Sequence, residues 1–307
     1  MLKYIGRRIL MLFPVLIGIT FLIYLLLDVT PGDPARIILG STATYEEVAA
    51  QRIVMGLDDP FIIRYMRFLG NVITGNFGES WYHRYDVMST FLDKIPYTLQ
   101  IGLLANIFAI FLGIPFGIIG AVKHNRPTDF ILTFLSLVLS AAPMFWFGMM
   151  LQLLFGIKLR WLPVAGVGDF RHLIMPALAS GSQIFATNTR ITRTWLLDVI
   201  RSDYVRTARA KGAKEFRVIV VHALRNALLP VITVLGANIA NVIGGMVISE
   251  TVFAVPGIGS WLSTSVTSKD VPVVMCVILI ITLVVGIINL LVDLTYALVD
   301  PRVKLGS

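Results

Sequence analysis

Long apolar stretches without any charged residue alternate with polar segments along the chain. Five of them lack Lys, Arg, Asp and Glu and are long enough to cross about 30 Å of hydrocarbon as a helix, which takes roughly 20 residues. Because lipid offers no hydrogen-bond partners for the backbone, each stretch predicts a transmembrane helix. The five stretches are residues 9–27, 98–122, 130–155, 226–249 and 271–292.

A sixth span is predicted at residues 173–191, although several polar side chains interrupt its apolar pattern. With six spans and both termini inside, more than half of the 26 basic residues lie in the interior segments, as the positive-inside rule requires. Without this span, which is the fourth in chain order, the basic stretch 190–225 would lie outside, against that rule. The sequence therefore predicts an all-α polytopic membrane protein with six transmembrane helices and with both termini in the cytoplasm.

The first span follows Lys3, Arg7 and Arg8 and predicts an uncleaved signal anchor, because its apolar run is long and lacks a small-x-small cleavage site. The next segment, residues 28–97, is predicted to be an extracytoplasmic helical insertion, hereafter the cap, packed on the membrane domain and able to contact an external partner. We therefore divide the chain into the N-terminal tail and first helix (1–27), the cap (28–97) and the main transmembrane domain (98–307). The apolar residues at helical spacing in the cap are Phe61, Ile62, Tyr65, Met66 and Leu69.

A second informative loop is predicted on the cytoplasmic side at residues 192–225, hereafter the basic segment. Gly212 interrupts one helical pattern within it, and a second short helix is predicted from Lys214 towards Leu229. Two short helices joined at a glycine would make a compact basic knob facing the cytosol. The first pattern is a stripe of residues at steps of three and four, namely Leu197, Ile200, Tyr204 and Ala208.

Composition supports the membrane class and argues against a nucleic-acid partner. Hydrophobic residues make up 56% of the chain and charged residues 14%, with a mean hydropathy of +0.81, whereas soluble domains carry about 25% charge. The net charge of +8 is placed as a membrane topology places it, so the expected partner is the lipid bilayer. The lone Cys276 has no partner for an internal disulfide.

Motifs for catalysis and for metal binding are missing from the sequence. It has no GxxxxGK[ST], HExxH, GxSxG or GxGxxG pattern, so no catalytic residue, metal site or cofactor is expected in this chain. Gly113 and Gly117 form a GxxxG pattern that permits close helix contact, although ordinary packing is the favoured interpretation. The polar residues of the spans, which face either a partner helix or a watery translocation path, include Gln183, Asn188, Asn238 and Asn241.

Sequence patches along nearly the whole chain resemble one transporter family. DYVRTARAKG at 203–212 and HALRNALLP at 222–230 resemble the coupling loop of binding-protein-dependent ABC importer permeases, and most closely that of the peptide/nickel branch. The general motif begins with Glu-Ala-Ala, whereas this chain has Arg206, Thr207 and Ala208 at those positions. In addition, Leu229-Pro230 lies further beyond Gly212 than usual. Both departures resemble the variant of the motif found in the peptide/nickel branch. Further matches are PGDPA at 31–35, GLDDP at 56–60, GNFGES at 75–80, WLPVAGVG at 161–168, ETVFAVPGIG at 250–259 and NLLVDLTYALVDPR at 289–302.

The resemblance implies a permease subunit, not itself an enzyme, in a bacterial or archaeal cytoplasmic membrane, importing short peptides. It implies assembly with a second homologous permease, two cytosolic ABC ATPase subunits that bind ATP and Mg, and an extracytoplasmic substrate-binding protein. The residues it implies for ATPase docking are Tyr204, Arg206, Thr207, Ala208, Arg209, Lys211 and Gly212. Those it implies for an outer gate or for docking of the binding protein are Glu250, Phe253, Pro256, Gly257 and Gly259.

Two alternatives stay open at the level of sequence. Within the same family, the substrate could be nickel or another metal chelate, because substrate choice resides largely in the binding protein. From a different class, a self-sufficient secondary transporter would need a coupling-ion site and usually an internal repeat. Neither feature is recognisable in the sequence.

Overall fold

The computed structural model describes residues 2–224, 238 and 246–299. Within these ranges the chain is helical, without a β-strand, and a single isolated β-bridge joins Glu79 to Asp86. Three helices of this part of the chain are long and apolar enough to cross a membrane, and a bent helix pair makes a fourth if it is one broken span. The predicted all-α membrane class is therefore confirmed for the described residues.

The helices differ in length according to the role of each segment, with short helices in the cap and in the basic segment. Two helices, Met144–Leu151 (α7) and Glu215–Arg217 (α10), continue directly into π-helical turns. These turns span Gln152–Lys158 and Val218–Ala223. In chain order the helices are α1 (Leu2–Val29), α2 (Pro34–Leu39), α3 (Tyr45–Met55), α4 (Phe61–Ile73), α5 (Val87–Val122), α6 (Pro127–Ala141), α7 (Met144–Leu151), α8 (Arg171–Ile200), α9 (Asp203–Ala210), α10 (Glu215–Arg217), α11 (Ile258–Thr267) and α12 (Val271–Val299).

Most predicted spans lie within a single helix. Residues 9–27, 98–122 and 271–292 lie in α1, α5 and α12, and residues 173–191 lie in the longer helix α8. The third stretch, 130–155, is not one continuous helix, because α6 and α7 meet at 109°. Pro143 follows Ala142, which is extended (φ −69°, ψ 127°), as expected because a proline disfavours helical backbone in the residue before it. The fifth predicted span, 226–249, lies outside the described residues except for 238 and 246–249.

The chain divides into two compact units, and the first comprises Met1–Tyr97 and Pro256–Ile287. An aromatic cluster joins α4 of the cap to α1 in this unit. Phe21 packs edge-to-face on Tyr65, with ring centroids 5.4 Å apart, and Tyr24 packs on Phe61 in the same way at 5.7 Å. Helix α4 of the cap is therefore packed against α1.

Two adjacent buried charged residues in the turn before α12 bind the cap. Lys269 and Asp270 are only 6% and 2% exposed. The Lys269 ammonium donates to the carbonyl oxygen of Gly32 at 2.6 Å. Asp270 accepts hydrogen bonds from the Ser80 hydroxyl at 2.5 Å and from the Trp81 N–H at 3.0 Å. Because a buried charge is costly unless it is hydrogen-bonded, these contacts hold both ends of the cap at fixed positions in the unit.

The second unit comprises Thr98–Val255 and Ile288–Ser307, and its described core is a close crossing of α5 and α8. A β-carbon built on Gly117 would lie 2.6 Å from the Thr189 carbonyl oxygen, and one built on Gly181 would lie 2.7 Å from the Ala105 carbonyl oxygen. Such distances leave no room for a side chain, so the GxxxG pattern marks backbone contact. Gly113 and Gly117 are therefore helix-packing residues, which is the interpretation that the sequence favoured.

Many large apolar side chains of the long helices lie on the surface of the described chain. In a soluble protein such a surface would be a liability, but lipid acyl chains solvate it without cost. Those with the greatest exposure include Leu10 (69%), Phe111 (71%), Phe130 (65%), Ile131 (64%) and Phe134 (68%).

Candidate functional site

The basic segment forms the candidate site. α8 continues through the first part of this segment to Ile200, and α9 starts at Asp203. The break between them shifts the helical register, because Val205 is fully buried whereas Tyr204 is 44% exposed. The predicted stripe was therefore wrong at Tyr204, whose place in the interior is taken by Val205.

A small apolar cluster holds the basic segment onto the second unit. It draws one residue from α5, one from α8, one from α9 and two from the π-helical turn after α10, and each of them is at most 3% exposed. The knob is therefore a folded part of the unit rather than a tethered loop. The five residues are Ala121, Leu196, Val205, Val218 and Ala223.

Gly212 ends the short helix α9 in a left-handed conformation, with φ +80°. Its N–H donates to the Arg209 carbonyl oxygen at 2.9 Å, and the Ala213 N–H donates to the Ala208 carbonyl oxygen at 3.3 Å. These two bonds are a Schellman motif, which satisfies carbonyl groups at a helix end. A β-carbon at Gly212 would meet nothing within 4 Å, so the turn is open to a partner on that side.

An internal ion pair closes the glycine turn. The Arg209 Nη2 and Nε atoms donate to the two carboxylate oxygens of Glu215 at 2.7 and 3.1 Å. The hydrogen bond from Arg209 holds the pKa of Glu215 below its usual range. Arg209 was predicted to take part in ATPase docking; in the described structure its guanidinium binds Glu215, and this contact rigidifies the turn.

We expect Arg209→Glu to lower stability by no more than about 1 kcal/mol, because both side chains are largely exposed. The double variant Arg209→Glu/Glu215→Arg should recover the loss, since it restores opposite charges. Because the pKa of Glu215 is lowered in the folded chain, the wild-type gain is present above the unfolded pKa of about 4.3 and is lost as the pH falls through the folded value. Thermal unfolding of the purified chain measures this, and a double variant no more stable than Arg209→Glu would contradict the pairing.

The exposed face of the basic segment combines positive charge with aromatic rings. The Arg206 side chain is 76% exposed and its guanidinium lies 3.7 Å from the Asp203 carboxylate, and Thr207 and Lys211 are also exposed. Phe216 is 78% exposed beside this turn. Arginine and aromatic residues are enriched where proteins bind one another, so this face has the chemistry of a protein interface.

A buried pair that sequence reasoning missed anchors the base of the basic segment. Arg193 of α8 donates from Nε and Nη2 to the two carboxylate oxygens of Asp129, at 2.6 and 2.9 Å. Asp129 lies in the first turn of α6, is 2% exposed and also accepts the Asn125 N–H at 3.1 Å. This bidentate ion pair fixes α6 to α8, close to the end of α8 that leads into the knob.

Glu250 and Phe253 do not form an exposed docking surface. Glu250 is fully buried and accepts a hydrogen bond from the Thr98 hydroxyl at 2.6 Å. Phe253 is 2% exposed, and its ring packs on Gly148. A β-carbon built on Gly148 would lie 3.2 Å from a carbon of this ring. Gln152 donates to the Val252 carbonyl oxygen at 3.0 Å. These contacts join residues 250–253 to α5, to α7 and to the π-helical turn that follows α7.

The remaining residues predicted in that segment belong to the first unit. Pro256 is exposed, whereas Gly257 and Gly259 are buried. Gly257 precedes α11 and its carbonyl oxygen accepts the Trp261 N–H at 3.2 Å. Of the three, only Pro256 therefore lies on the surface of the described structure.

The polar residues predicted for a translocation path have different surroundings. Asn188 is 1% exposed, donates to the Ala109 carbonyl oxygen at 3.2 Å and accepts from the Asn238 side-chain amide at 3.2 Å. It therefore joins α8 to α5 and to Asn238. Gln183 is exposed on α8, and Asn241 lies outside the described residues.

Metal ligation finds no support in the described part of the chain. Over residues 2–224, 238 and 246–299, no group of three or more His, Cys, Asp or Glu side chains is placed to hold a metal ion. His83, His124 and His172 take part in separate local contacts.

Comparison with known proteins agrees with this arrangement at the level of sequence and of fold. The chain is 38% identical to the di/tripeptide transport system permease protein DppB of Pseudomonas aeruginosa, over 99% of both chains. It is also 38% identical to the oligopeptide transport system permease protein AppB of Bacillus subtilis, over 99% of this chain and 100% of that one. The glutathione transport system permease protein GsiC of Salmonella paratyphi A is 36% identical over 99% of both. A solved structure of the inward-facing MetNI methionine ABC transporter contains a chain with a TM-score of 0.58 at 15% identity, covering 69% of this chain and 97% of that one.

The helical fold and the full-length relatives thus place the chain in the class of membrane transport permeases. Residues 113–305 match the family described as the binding-protein-dependent transport system inner membrane component. Residues 1–102 match its N-terminal companion, the binding-protein-dependent transport system membrane component, N-terminal. The chain belongs to this family of inner-membrane permeases.

Proposed function

We propose that this chain is the permease subunit of an ABC importer that moves di- or oligopeptides into the cytoplasm. Membership of the permease family and the peptide transport named in relatives of full length support the proposal. The observation that carries the mechanism is the short exposed helix α9, closed at Gly212 and built directly onto the long helix α8.

The geometry suggests how ATP hydrolysis on separate subunits would drive this chain. A groove on an ATPase would receive the turn at Gly212, where the missing side chain lets the backbone approach, and the exposed Arg206 and Lys211 would meet acidic groups there. Closing of two ATPases would then displace α9. Because α9 and α8 share the apolar cluster around Leu196 and Val205, the displacement would tilt α8 as a lever and open the transport path to the other side.

The proposed membrane arrangement has six spans with both termini in the cytoplasm. It rests on the distribution of basic residues and on the apolar helices of the described chain. In this arrangement residues 1–27 enter the membrane, the cap of residues 28–97 lies outside, and residues 98–307 form the main domain. The location would be the cytoplasmic membrane of a bacterium or archaeon.

The proposed assembly contains a second homologous permease, two cytosolic ATPases carrying ATP and Mg, and an extracytoplasmic binding protein. Its support is the family itself, whose description names binding-protein-dependent transport. Recovery of this chain from its native membrane in mild detergent tests the assembly. Two ATPases and a second permease should co-purify, whereas a chain that is recovered alone and moves solute down an ion gradient in liposomes would indicate a secondary transporter.

A matched series at Gly212 tests the docking geometry. Gly212→Trp should lose the ATPases on purification, because an indole would fill the open side of the turn. Any side chain at φ +80° also costs about 1–2 kcal/mol of backbone strain, so Gly212→Asn is the control, since asparagine tolerates this conformation best. Gly212→Asn should retain the ATPases and most transport. Equal retention of the ATPases by the tryptophan variant would contradict docking at this turn.

Uptake by cells lacking this gene separates the substrates. Loss of di- or oligopeptide uptake, restored by the gene, is the expected result. Unchanged peptide uptake together with lost nickel uptake would overturn the peptide assignment in favour of a metal chelate, while leaving the permease role intact.

A further inference from the structure

The cap helix α4 carries two different apolar faces. One face, with Phe61, Tyr65 and Phe68, packs on α1. At about 100° per residue, a second face lies beside the first and carries Ile62, Met66 and Ile73. These three side chains are 54%, 60% and 86% exposed, so no described residue of the chain covers the second face.

A third arc of α4 is polar. Arg67 and Asn71 lie there, about 100° and about 140° around the helix axis from Met66. The Arg67 side chain is 53% exposed and donates to the Asp59 carboxylate at 2.6 Å, and Asn71 is exposed as well. A helix with one apolar arc and one charged arc is the type that lies in the plane of a membrane surface.

Two anchors on α1 give the depth of α4. The Tyr65 hydroxyl donates to the Ile17 carbonyl oxygen at 3.0 Å and lies 3.0 Å from the Thr20 hydroxyl. The apolar stretch of α1 ends at Val29, so Ile17 lies about 18 Å along the helix from that end. Half the hydrocarbon thickness is about 15 Å. The tip of the Tyr65 side chain therefore reaches towards the middle of the bilayer.

The second anchor holds the same helix near the membrane surface. Arg64 donates to the Asp28 carboxylate at 2.6 Å, and Asp28 lies one residue before the end of α1. The helix axis of α4 thus lies between the level of Asp28 and that of Ile17. At this depth polar groups need partners, and both Tyr65 and Arg64 have them.

We propose that α4 is embedded in the membrane interface, with Ile62, Met66 and Ile73 in contact with lipid acyl chains and with Arg67 and Asn71 in water. Lipid is the occupant because the contacts with α1 hold this uncovered face at the level of the hydrocarbon. The cap would then be held in the leaflet at the Val29 end of α1. This contact with lipid would fix the depth of the cap in the membrane independently of the transported substrate.

Site-specific fluorescence quenching tests this inference. Met66→Cys and the control Asn71→Cys would each carry a small environment-sensitive fluorophore, in the full chain with its co-purified subunits in phosphatidylcholine vesicles. Cys276 is buried, and the unsubstituted chain measures background labelling. Lipids with brominated acyl chains should quench the label at position 66, whereas aqueous iodide should quench the label at position 71.

Each outcome bears on the inference directly. Iodide quenching at position 66 equal to that at position 71 would show a water-exposed face and overturn it. A label at position 66 protected from both quenchers would show a protein partner, such as the second permease, and would also overturn it. The readout needs no transport, so failure here leaves the proposed function untouched, and failure of peptide uptake leaves this inference untouched.

Discussion

Gly117→Val is expected to stop α5 and α8 from packing, so that the chain no longer accumulates as a folded membrane protein. A β-carbon at Gly117 would lie 2.6 Å from the Thr189 carbonyl oxygen, 2.6 Å from the Thr192 β-carbon and 3.1 Å from the Arg193 nitrogen. Two of these atoms are backbone, so no rotamer change relieves the contact. Overpacking in a well-packed core costs about 1–3 kcal/mol, and displacing a helix places this variant at the upper end.

The matched control is Gly18→Val in α1, where an added β-carbon would meet nothing within 4 Å. Both substitutions add the same side chain to a long membrane helix, so their difference isolates the α5–α8 contact. Amounts of chain in the membrane and thermal unfolding in detergent give the comparison. Equal behaviour of the two variants would mean that the crossing is not held by the glycines.

Hydropathy predicted most of the membrane helices because burial in lipid is a property of the local sequence. It could not predict the 109° bend between α6 and α7. A proline within a span is compatible with a continuous kinked helix or with a break, and the choice depends on distant contacts. Here Gly148 packs against Phe253, and Gln152 binds the Val252 carbonyl oxygen, so a segment about 100 residues later accommodates the bend.

In the basic segment, the glycine turn was predictable but its surroundings were not. Gly212 followed a helical pattern, which is the usual signal for a helix end. Val205 rather than Tyr204 is buried because the helix breaks before Asp203. Hydrophobic periodicity assumes an unbroken helix, so it cannot predict this one-residue shift. The pairing of Arg209 with Glu215 joins residues on opposite sides of that turn, so it follows from the turn geometry.

The Asp129 and Arg193 pair illustrates what a span-by-span interpretation misses. The two residues are 64 positions apart and carry no motif. One signal was present, because Asp129 directly precedes the span predicted at 130–155 and Arg193 lies two residues beyond the span predicted at 173–191. Under the predicted topology both lie at the cytoplasmic membrane surface, and a lone acid beside apolar helices needs a basic partner at the same depth.

Asp129→Ala is expected to lower the free energy of unfolding by about 3 kcal/mol, because it leaves the Arg193 guanidinium without its carboxylate. That value is the lower end of the range for broken buried pairs, chosen because the Arg193 side chain is 25% exposed. Under the proposed function, α6 would also lose its link to the lever helix α8. Transport should therefore fall more than ATP hydrolysis in the assembled complex.

A double-mutant cycle with Arg193→Met distinguishes the ion pair from general damage. Removing both charges leaves no uncompensated ion, so the double variant should lose clearly less stability than the sum of the two single variants. Asp198→Ala, which removes an exposed acid from α8, is the control for loss of a carboxylate alone and should unfold like the wild type. If Asp129→Ala unfolds at the same temperature as Asp198→Ala, the pair does not hold α6 to α8.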